Sequence, residues 1–344
     1  MRLNVLSSRL ITEGRSADEA RRVLGRTGLS VGRLGLGTWE IGDQKTPVED
    51  VRMMVRNLLD GGGNLIDTAD NYDDAESIIG EAITGFGRDD LVLVTKCGDY
   101  SSAAFDRNGL STNSPEYRYY GRNFTPKVIR KNVETSLQKL HTDHVDVLLI
   151  HTAYLDVLKK GDAIDTVIRM KEQGKARFIG YSGDNEEAVY CAQIPEFSVL
   201  ETSVNLADMR NLDGPVPMAR KAGMGVIAKR PVANTFWRND LYQRAAEYRM
   251  DYRRRVARMK LEPDDLGFED GHPGWMKLAL AFTASTPVDV LAVGTTKPAH
   301  MVENIRIMDG LGAVDRMHER IRPFFERARN SVTYSKGRVW PGLE

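Results

Sequence analysis

Apolar runs of about four to eight residues recur along the chain, with helical patterns between them. In order they are RLGLGTW (33–39), NLIDTAD (64–70), LVLVTKC (91–97), VDVLLIHT (145–152), ARFIGYS (176–182), FSVLETSVN (197–205), MGVIAKRP (224–231) and VDVLAVGT (288–295). Short apolar runs bounded by turn signals read as strands buried on both faces, the habit of a parallel sheet. Roughly eight strands alternating with helices predict an α/β fold, a (β/α)8 TIM barrel of about 250 residues. The expected organisation is an N-terminal extension over 1–21 and a single barrel over 22–344, with the surplus in long loops.

Helix starts are well signalled. Thr46-Pro47-Val48-Glu49 predicts an N-cap, a first-turn proline and a capping-box acid ahead of VRMMVRNLL. Thr125-Pro126 and Lys297-Pro298 open two further helices in the same way. The stretch RRVLGRTGLSV holds two short apolar runs about a Gly-Arg-Thr-Gly turn, which predicts a hairpin plugging the amino-terminal end of the barrel. Two connections, Gly98 to Asn123 and Val232 to about Gly274, are far longer than usual. Both follow strands, so both are expected over the carboxyl face as substrate loops. The basic stretch RAAEYRMDYRRRVARMK in the second reads as a solvated helix, because EPDDLGFED follows it.

Composition narrows the class. Apolar residues make up 41 % and charged residues 28 %, which suits a soluble globular protein. The formal net charge is zero, so nothing global favours nucleic acid or an anionic membrane. Cys97 and Cys191 are too few for a disulfide framework or a structural zinc site. The N-terminus lacks the pattern of a signal peptide, and no stretch approaches the roughly 18 apolar residues of a membrane span. A cytoplasmic protein is expected.

Chemistry concentrates at the ends of three successive runs. Asp67 and Tyr72 follow the second, Lys96 closes the third and His151 closes the fourth. A lysine at a buried strand end needs a carboxylate, and Asp67 closes the neighbouring strand. Free tyrosine has a pKa near 10; an adjacent ammonium is expected to lower it. Together the four read as a proton donor for an oxygen gaining negative charge.

On these residues the chain resembles the aldo-keto reductase family. The resemblance runs from about residue 22 onward through LGLGTWEIG (34–42), D-T-A-D-N-Y with Glu76 following, TKCG, SLQKLHTDHVDVLLIH, GKARFIGYSG and GTTKPAHMVENI (294–305). It implies a (β/α)8 barrel that reduces carbonyls with a nicotinamide cofactor, usually NADPH. Tyr72 is then the general acid, Lys96 tunes it, Asp67 supports the lysine and His151 orients the carbonyl. Transfer of the 4-pro-R hydride, with cofactor binding first, is also implied.

The same resemblance implies cofactor contacts. Gly37, Thr38 and Trp39 correspond to the first-strand turn beside the nicotinamide ribose, and Asp67 is expected as a further cofactor contact. Ser182 matches a carboxamide-binding serine, but Gly183 stands where an asparagine is common. Glu201 replaces a common glutamine and cannot donate from an amide; either Asp184 and Asn185 share that task or the nicotinamide is held differently. Lys229, Arg230 and Pro231 stand where an aromatic residue often stacks under the nicotinamide. At the adenosine end, Gly294, Thr295 and Lys297 lie at a helix N-terminus suited to an anion. Lys297 and His300 are expected at a 2′-phosphate, and Glu303 and Asn304 at the adenine. NADPH is therefore expected, with NADH the alternative.

Trp39, Tyr100, Tyr117, Tyr119, Tyr120 and Trp237 are expected to line a small-molecule pocket, with Arg107, Arg118 and Arg122 on the first loop. Other signals are weak. Gly35-x-Gly37 meets Glu40 where a dinucleotide fingerprint needs its third glycine. No Walker sequence occurs, and His141-x-x-His144 is no recognised zinc spacing. Cys97 is expected to turn away from the tetrad as a packed thiol. Two other functions compete: a cofactor-binding regulatory barrel with little turnover, and a metal-dependent barrel hydrolase, for which only His151 fits.

Overall fold

The computed structural model describes residues 21–98, 123–239, 243–311 and 316–330. Strands β1 (Arg21–Val23) and β2 (Ser30–Gly32) form an antiparallel hairpin. Eight strands follow: β3 (Leu34–Gly37), β4 (Leu65–Asp67), β5 (Val92–Cys97), β6 (Val145–His151), β7 (Ala176–Ser182), β8 (Val199–Ser203), β9 (Gly225–Lys229) and β10 (Val290–Gly294). They pair in parallel in chain order, and β10 closes on β3. Each expected strand is present, shortened by a residue or more at most ends.

Parallel neighbours require a crossover, and helices supply it. Helices α1 (Trp39–Asp43) and α2 (Val48–Asp60) join β3 to β4, and α3 (Ala75–Ile83) joins β4 to β5. Helix α4 (Pro126–Lys139) precedes β6; α5 (Leu155–Lys160) and α6 (Asp162–Glu172) precede β7; α7 (Asn185–Cys191) precedes β8. Helix α8 (Pro215–Lys221) leads to β9, α9 (Gln243–Met259) and α10 (Gly271–Ala284) lead to β10, and α11 (Pro298–Gly310) and α12 (Met317–Asn330) follow it.

The two-residue period of the strands separates two cores. Leu65, Val92, Val94, Val147, Leu149, Val199, Ile227 and Val290 fill the barrel, and Leu24, Leu29 and Val31 of the hairpin pack into the same cluster. Ile66, Leu93, Leu148, Ile150, Leu200 and Leu291, the residues between, meet the helices. Continuing the inward phase by one step reaches Asp67, Lys96, His151, Glu201 and Lys229. The polar residues thus form the layer above an apolar plug, at the carboxyl edge where barrel sites lie. Cys97 falls on the opposite phase and is buried among the helices, as expected.

The amino edge carries its own ion pairs. The sequence Val-Asp-Val-Leu begins at Val145 and again at Val288, four barrel strands apart. Asp146 accepts the Leu93 N–H at 2.9 Å and pairs with Arg88 and Arg177. Asp289 accepts the Val226 N–H at 2.8 Å and pairs with Arg220. Each carboxylate caps the start of the preceding strand.

Two expectations are corrected. Helix α2 is capped by Pro47 with no side-chain bond, and the Thr46 hydroxyl is buried without a partner among the described residues. The proline one residue later takes the cap position, so no capping box forms. The basic helix α9 is not simply solvated. Tyr252, Arg255, Val256 and Met259 are buried on one face, and Arg255 pairs with Asp208 at 3.4 Å.

Candidate active site

Lys96 is the centre of the polar layer. Its ammonium donates to Asp67 Oδ1 at 2.6 Å and to the Thr68 carbonyl at 2.9 Å, and lies 3.3 Å from Glu201 Oε2. The side chain is fully buried. Burial alone pulls its pKa down, but Asp67, Glu201 and Tyr72 outweigh that and hold it above the usual lysine value. Asp67 is pushed up to about 8, by burial first and by Glu201 second, against the pull of Lys96.

Tyr72 lies on the turn between β4 and α3. Its N–H donates to the Ala69 carbonyl, and its own carbonyl accepts from Ala75. Gly42 of α1 packs onto this turn so closely that a Cβ there would sit 1.9 Å from the Tyr72 carbonyl oxygen. The Lys96 ammonium is 5.0 Å from the Tyr72 ring centre, and the His151 ring meets Tyr72 edge-on at 5.9 Å and 76°. The expected lowering of the Tyr72 pKa is corrected. Burial raises it, Lys96 lowers it, and the charges of Asp67 and Glu201 raise it again, leaving it above the usual value. The tyrosine is a neutral phenol held beside an ammonium.

The barrel register brings His151 beside Ser182 and Ser182 beside Glu201. The Ser182 hydroxyl donates to Glu201 Oε1 at 3.2 Å. Gly183 has no room for a side chain, since a Cβ would meet the Tyr181 ring at 2.4 Å. The Tyr181 hydroxyl in turn donates to the Ala153 carbonyl at 2.9 Å, tying down the loop after His151. Asp184 accepts from Thr202 Oγ1, the Ser203 N–H and hydroxyl, and Asn211 Nδ2 at 2.7–3.1 Å. Burial would raise its pKa, but Lys229, Arg230 and these hydrogen bonds bring it down to about 2. Both its oxygens serve β8 and its loop, which does not support the expected stand-in role toward an amide.

Lys229 ends β9 with its ammonium 3.8 Å from Asp184 Oδ2. Burial lowers its pKa against the opposing pull of Asp184 and Glu201. Directly after the two inward residues the backbone turns left-handed, at Thr152 (φ 53°) after His151 and Arg230 (φ 55°) after Lys229. Positive φ at bulky or β-branched residues is uncommon and collects at sites where side chains are aimed. The Pro231 carbonyl accepts from Thr283 at 2.9 Å, anchoring this turn to α10.

On the other side of the mouth, Gly37 and Gly294 are register partners on β3 and β10. Thr38 is buried and donates its hydroxyl to the Asp67 carbonyl at 3.0 Å, while Trp39 is half-buried at the start of α1. The Glu40 carboxylate rests against Gly294, where a Cβ would meet its Oε2 at 2.3 Å. Burial raises the Glu40 pKa. Lys297 caps α11 and is exposed; its N–H donates to Thr295 Oγ1 at 3.2 Å, and His300 Nδ1 is 3.4 Å from the same hydroxyl. One turn on, Glu303 is exposed and Asn304 is buried.

Among the expected pocket residues, Trp237 is buried and stacks on Trp275 at 6.1 Å and 12°, with Phe236 edge-on to both. Tyr100, Arg107, Tyr117, Arg118, Tyr119, Tyr120 and Arg122 lie outside the described residues. Among the described residues no group of three or more His, Cys, Asp or Glu could hold a metal ion, and no helix is long and apolar enough to cross a membrane.

Two contacts escaped the sequence reading, although both residues are named in it. Glu76 of α3 is buried and accepts from Thr95 at 2.7 Å, fixing α3 to the strand that carries Lys96. Glu201 faces Lys96 from three strands away in barrel order. Its signal was the inward phase: Val199 lies inside the barrel, so Glu201 does also.

A family model described as the aldo/keto reductase family matches residues 33–322. The NADH-specific methylglyoxal reductase of Escherichia coli (strain K12) is 28 % identical over 219 residues, 61 % of this chain and 66 % of that protein. The L-galactose dehydrogenase of Arabidopsis thaliana is 28 % identical over 228 residues, 62 % of this chain and 65 % of that protein. The chain thus spans just under two thirds of the length of these curated relatives. A holo-form aldo-keto reductase from Bacillus halodurans shares the fold with a TM-score of 0.66 and 22 % identity, covering 92 % of this chain and 98 % of that one.

Proposed function

The chain belongs to the aldo/keto reductase family, and from that premise we propose that it reduces an aldehyde or ketone to the alcohol, with NADPH as reductant and Tyr72 as proton donor. The observation that carries the reading is the Tyr72 ring set beside both the Lys96 ammonium, 5.0 Å from its centre, and the edge-on His151 ring. A phenol held above its usual pKa keeps its proton at neutral pH. It releases that proton only when an oxygen close by becomes strongly basic, as a carbonyl oxygen does while it is reduced. Lys96 then stabilises the phenolate left behind, and Asp67 keeps Lys96 in place. His151 directs a hydrogen bond at the same oxygen and fixes its orientation.

The residues present suit a nicotinamide nucleotide. Gly37 and Gly294 add no side chain of their own to the rim between β3 and β10, and exposed Lys297 at the N-terminus of α11 offers a cation and the positive end of a helix dipole to a phosphate. Bound there, the reduced nicotinamide supplies the hydride. We assign Thr38, Ser182, Glu201 and Lys229 to the nicotinamide end and Thr295, Lys297, His300 and Asn304 to the adenosine end. One observation favours NADH instead: the Glu40 carboxylate against Gly294 opposes a second anion at that rim.

The relatives' names, a methylglyoxal reductase and a galactose dehydrogenase, direct the substrate search toward small oxygenated carbonyls. Half-buried Trp39 is the proposed aromatic wall of that pocket; Trp237 is already occupied by Trp275. Two buried free cysteines suit a reducing cytoplasm. The test is a tryptophan-fluorescence titration with each nucleotide, followed by a carbonyl panel read as loss of reduced cofactor. Saturable quenching at lower NADPH than NADH concentration supports the assignment. Tighter NADH binding moves the reading to NADH, and binding of neither sinks it.

A further inference from the structure

The rim between β3 and β10 is low, because its facing residues Gly37 and Gly294 carry no side chains. One neighbour reaches over it. Glu40 of α1 lays its carboxylate on Gly294, where a Cβ would come 2.3 Å from Oε2, 3.0 Å from Cδ and 3.1 Å from Oε1. Gly294 is exposed at the end of β10 and Glu40 is half-buried, so both are open to a ligand on the rim. Among the described residues the carboxylate has no hydrogen bond or ion pair to another side chain.

A dinucleotide held as assigned above has to cross this carboxylate. Its nicotinamide end lies with Thr38, Ser182, Glu201 and Lys229, its adenosine end with Thr295 and Lys297, and its two phosphates between them. Gly294 immediately precedes Thr295, so the glycine that Glu40 covers is the crossing point. A carboxylate against a pyrophosphate at a half-buried rim is strongly unfavourable, because little water lies between the charges to screen them.

We propose that Glu40 sets the affinity for the dinucleotide by opposing its pyrophosphate, and that binding takes up a proton from solvent onto the Glu40 carboxylate. No bond of the nucleotide changes and no electrons move. Protonated Glu40 keeps its place and turns from a repelling charge into a donor toward a phosphate oxygen. Burial favours that proton most, the Glu40 N–H opposes it, Asp43 on the same helix favours it and Arg249 from α9 opposes it. Lys297 and His300 follow Gly294 on the far side of the rim, and Tyr72 meets α1 at Gly42. With phosphate beside it, Glu40 holds its proton to higher pH than in the free protein. Uptake therefore falls between those two pH values, and affinity declines as pH rises through them.

The proton uptake rests on the nucleotide reading, and the two fail differently. Calorimetric titration with NADP+ and with NAD+, repeated in buffers of different ionisation enthalpy, counts the protons taken up on binding. The count for Glu40 is the difference between wild type and Glu40→Gln, which cancels protons taken up by His300 or by the 2′-phosphate. Circular dichroism checks the fold, and Glu40→Met, uncharged and of similar length, is the second variant. Between about pH 5 and about pH 8 the difference should peak at about half a proton or more. The variants should bind about tenfold tighter than wild type at about pH 8, with the advantage shrinking toward about pH 5. Binding with equal proton counts in wild type and variants overturns the inference and leaves the nucleotide reading standing. Weaker binding to both variants makes Glu40 an acceptor for the nucleotide and overturns it too. Binding of neither nucleotide to any of the proteins sinks the nucleotide reading and the uptake with it.

Discussion

The Lys96 ammonium lies 5.0 Å from the centre of the Tyr72 ring, yet Tyr72 sits above its usual pKa. Burial raises that pKa first, and the charges of Asp67 and Glu201 then offset the lowering by Lys96, which also donates to Asp67 and the Thr68 carbonyl. The lysine therefore prepares the site for a phenolate without creating one in the resting protein.

Replacing Lys96 with Met should lower kcat by roughly two to four orders of magnitude, the usual scale for losing acid–base assistance. It also removes the cation that pulls the Asp67 pKa down, so folded Asp67 should bind its proton more tightly and the loss of stability should be larger at about pH 8 than at about pH 5. Urea denaturation at the two pH values measures this.

Gly42→Ala should damage activity from outside the tetrad. The new methyl would overlap the Tyr72 carbonyl oxygen, and backbone cannot yield as a side chain does. A destabilisation of about 1–3 kcal/mol is expected, with kcat/KM down by roughly tenfold to a hundredfold as Tyr72 is displaced. Denaturation and steady-state kinetics on one preparation separate the two effects.

The fold was legible because each inward strand position is apolar until the last, so Val92, Val94 and Lys96 announce both phase and edge. Asp67, Lys96 and His151 could be placed from their runs alone. The sign of the Tyr72 shift could not, because burial is a property of the closed barrel rather than of any segment. Glu201 could be assigned to an inward phase, but its contact with Lys96 depends on closure across several strands. Trp237 reads as a loop aromatic until Trp275 is seen against it.

Stability should fall at both ends of the pH scale for separate reasons. Asp184 is depressed from 3.8 to about 2, so its contribution is present above its unfolded pKa and lost as pH falls through about 2. That contribution is about 2 kcal/mol. Asp67 is raised from 3.8 to about 8, so its contribution is full below its unfolded pKa and lost as pH rises through about 8. Asp184→Asn should remove the acid-side loss, read from thermal midpoints across pH.

Lys297→Ala should raise the NADPH dissociation constant by roughly tenfold to a hundredfold, the range for one charge-assisted bond. NADH binding should change little. Added salt should weaken NADPH binding to wild type more than to the variant. Equal losses for both nucleotides would remove Lys297 from the 2′-phosphate.

Tyr72→Phe, assayed for turnover and for cofactor binding together, tests the central claim most directly. The substitution removes one hydroxyl and keeps the ring that packs against His151. Carbonyl reduction should fall by roughly two to four orders of magnitude, while fluorescence titration gives an unchanged cofactor affinity. Reduction at the wild-type rate with intact binding would contradict the account, because the proton would then come from another group.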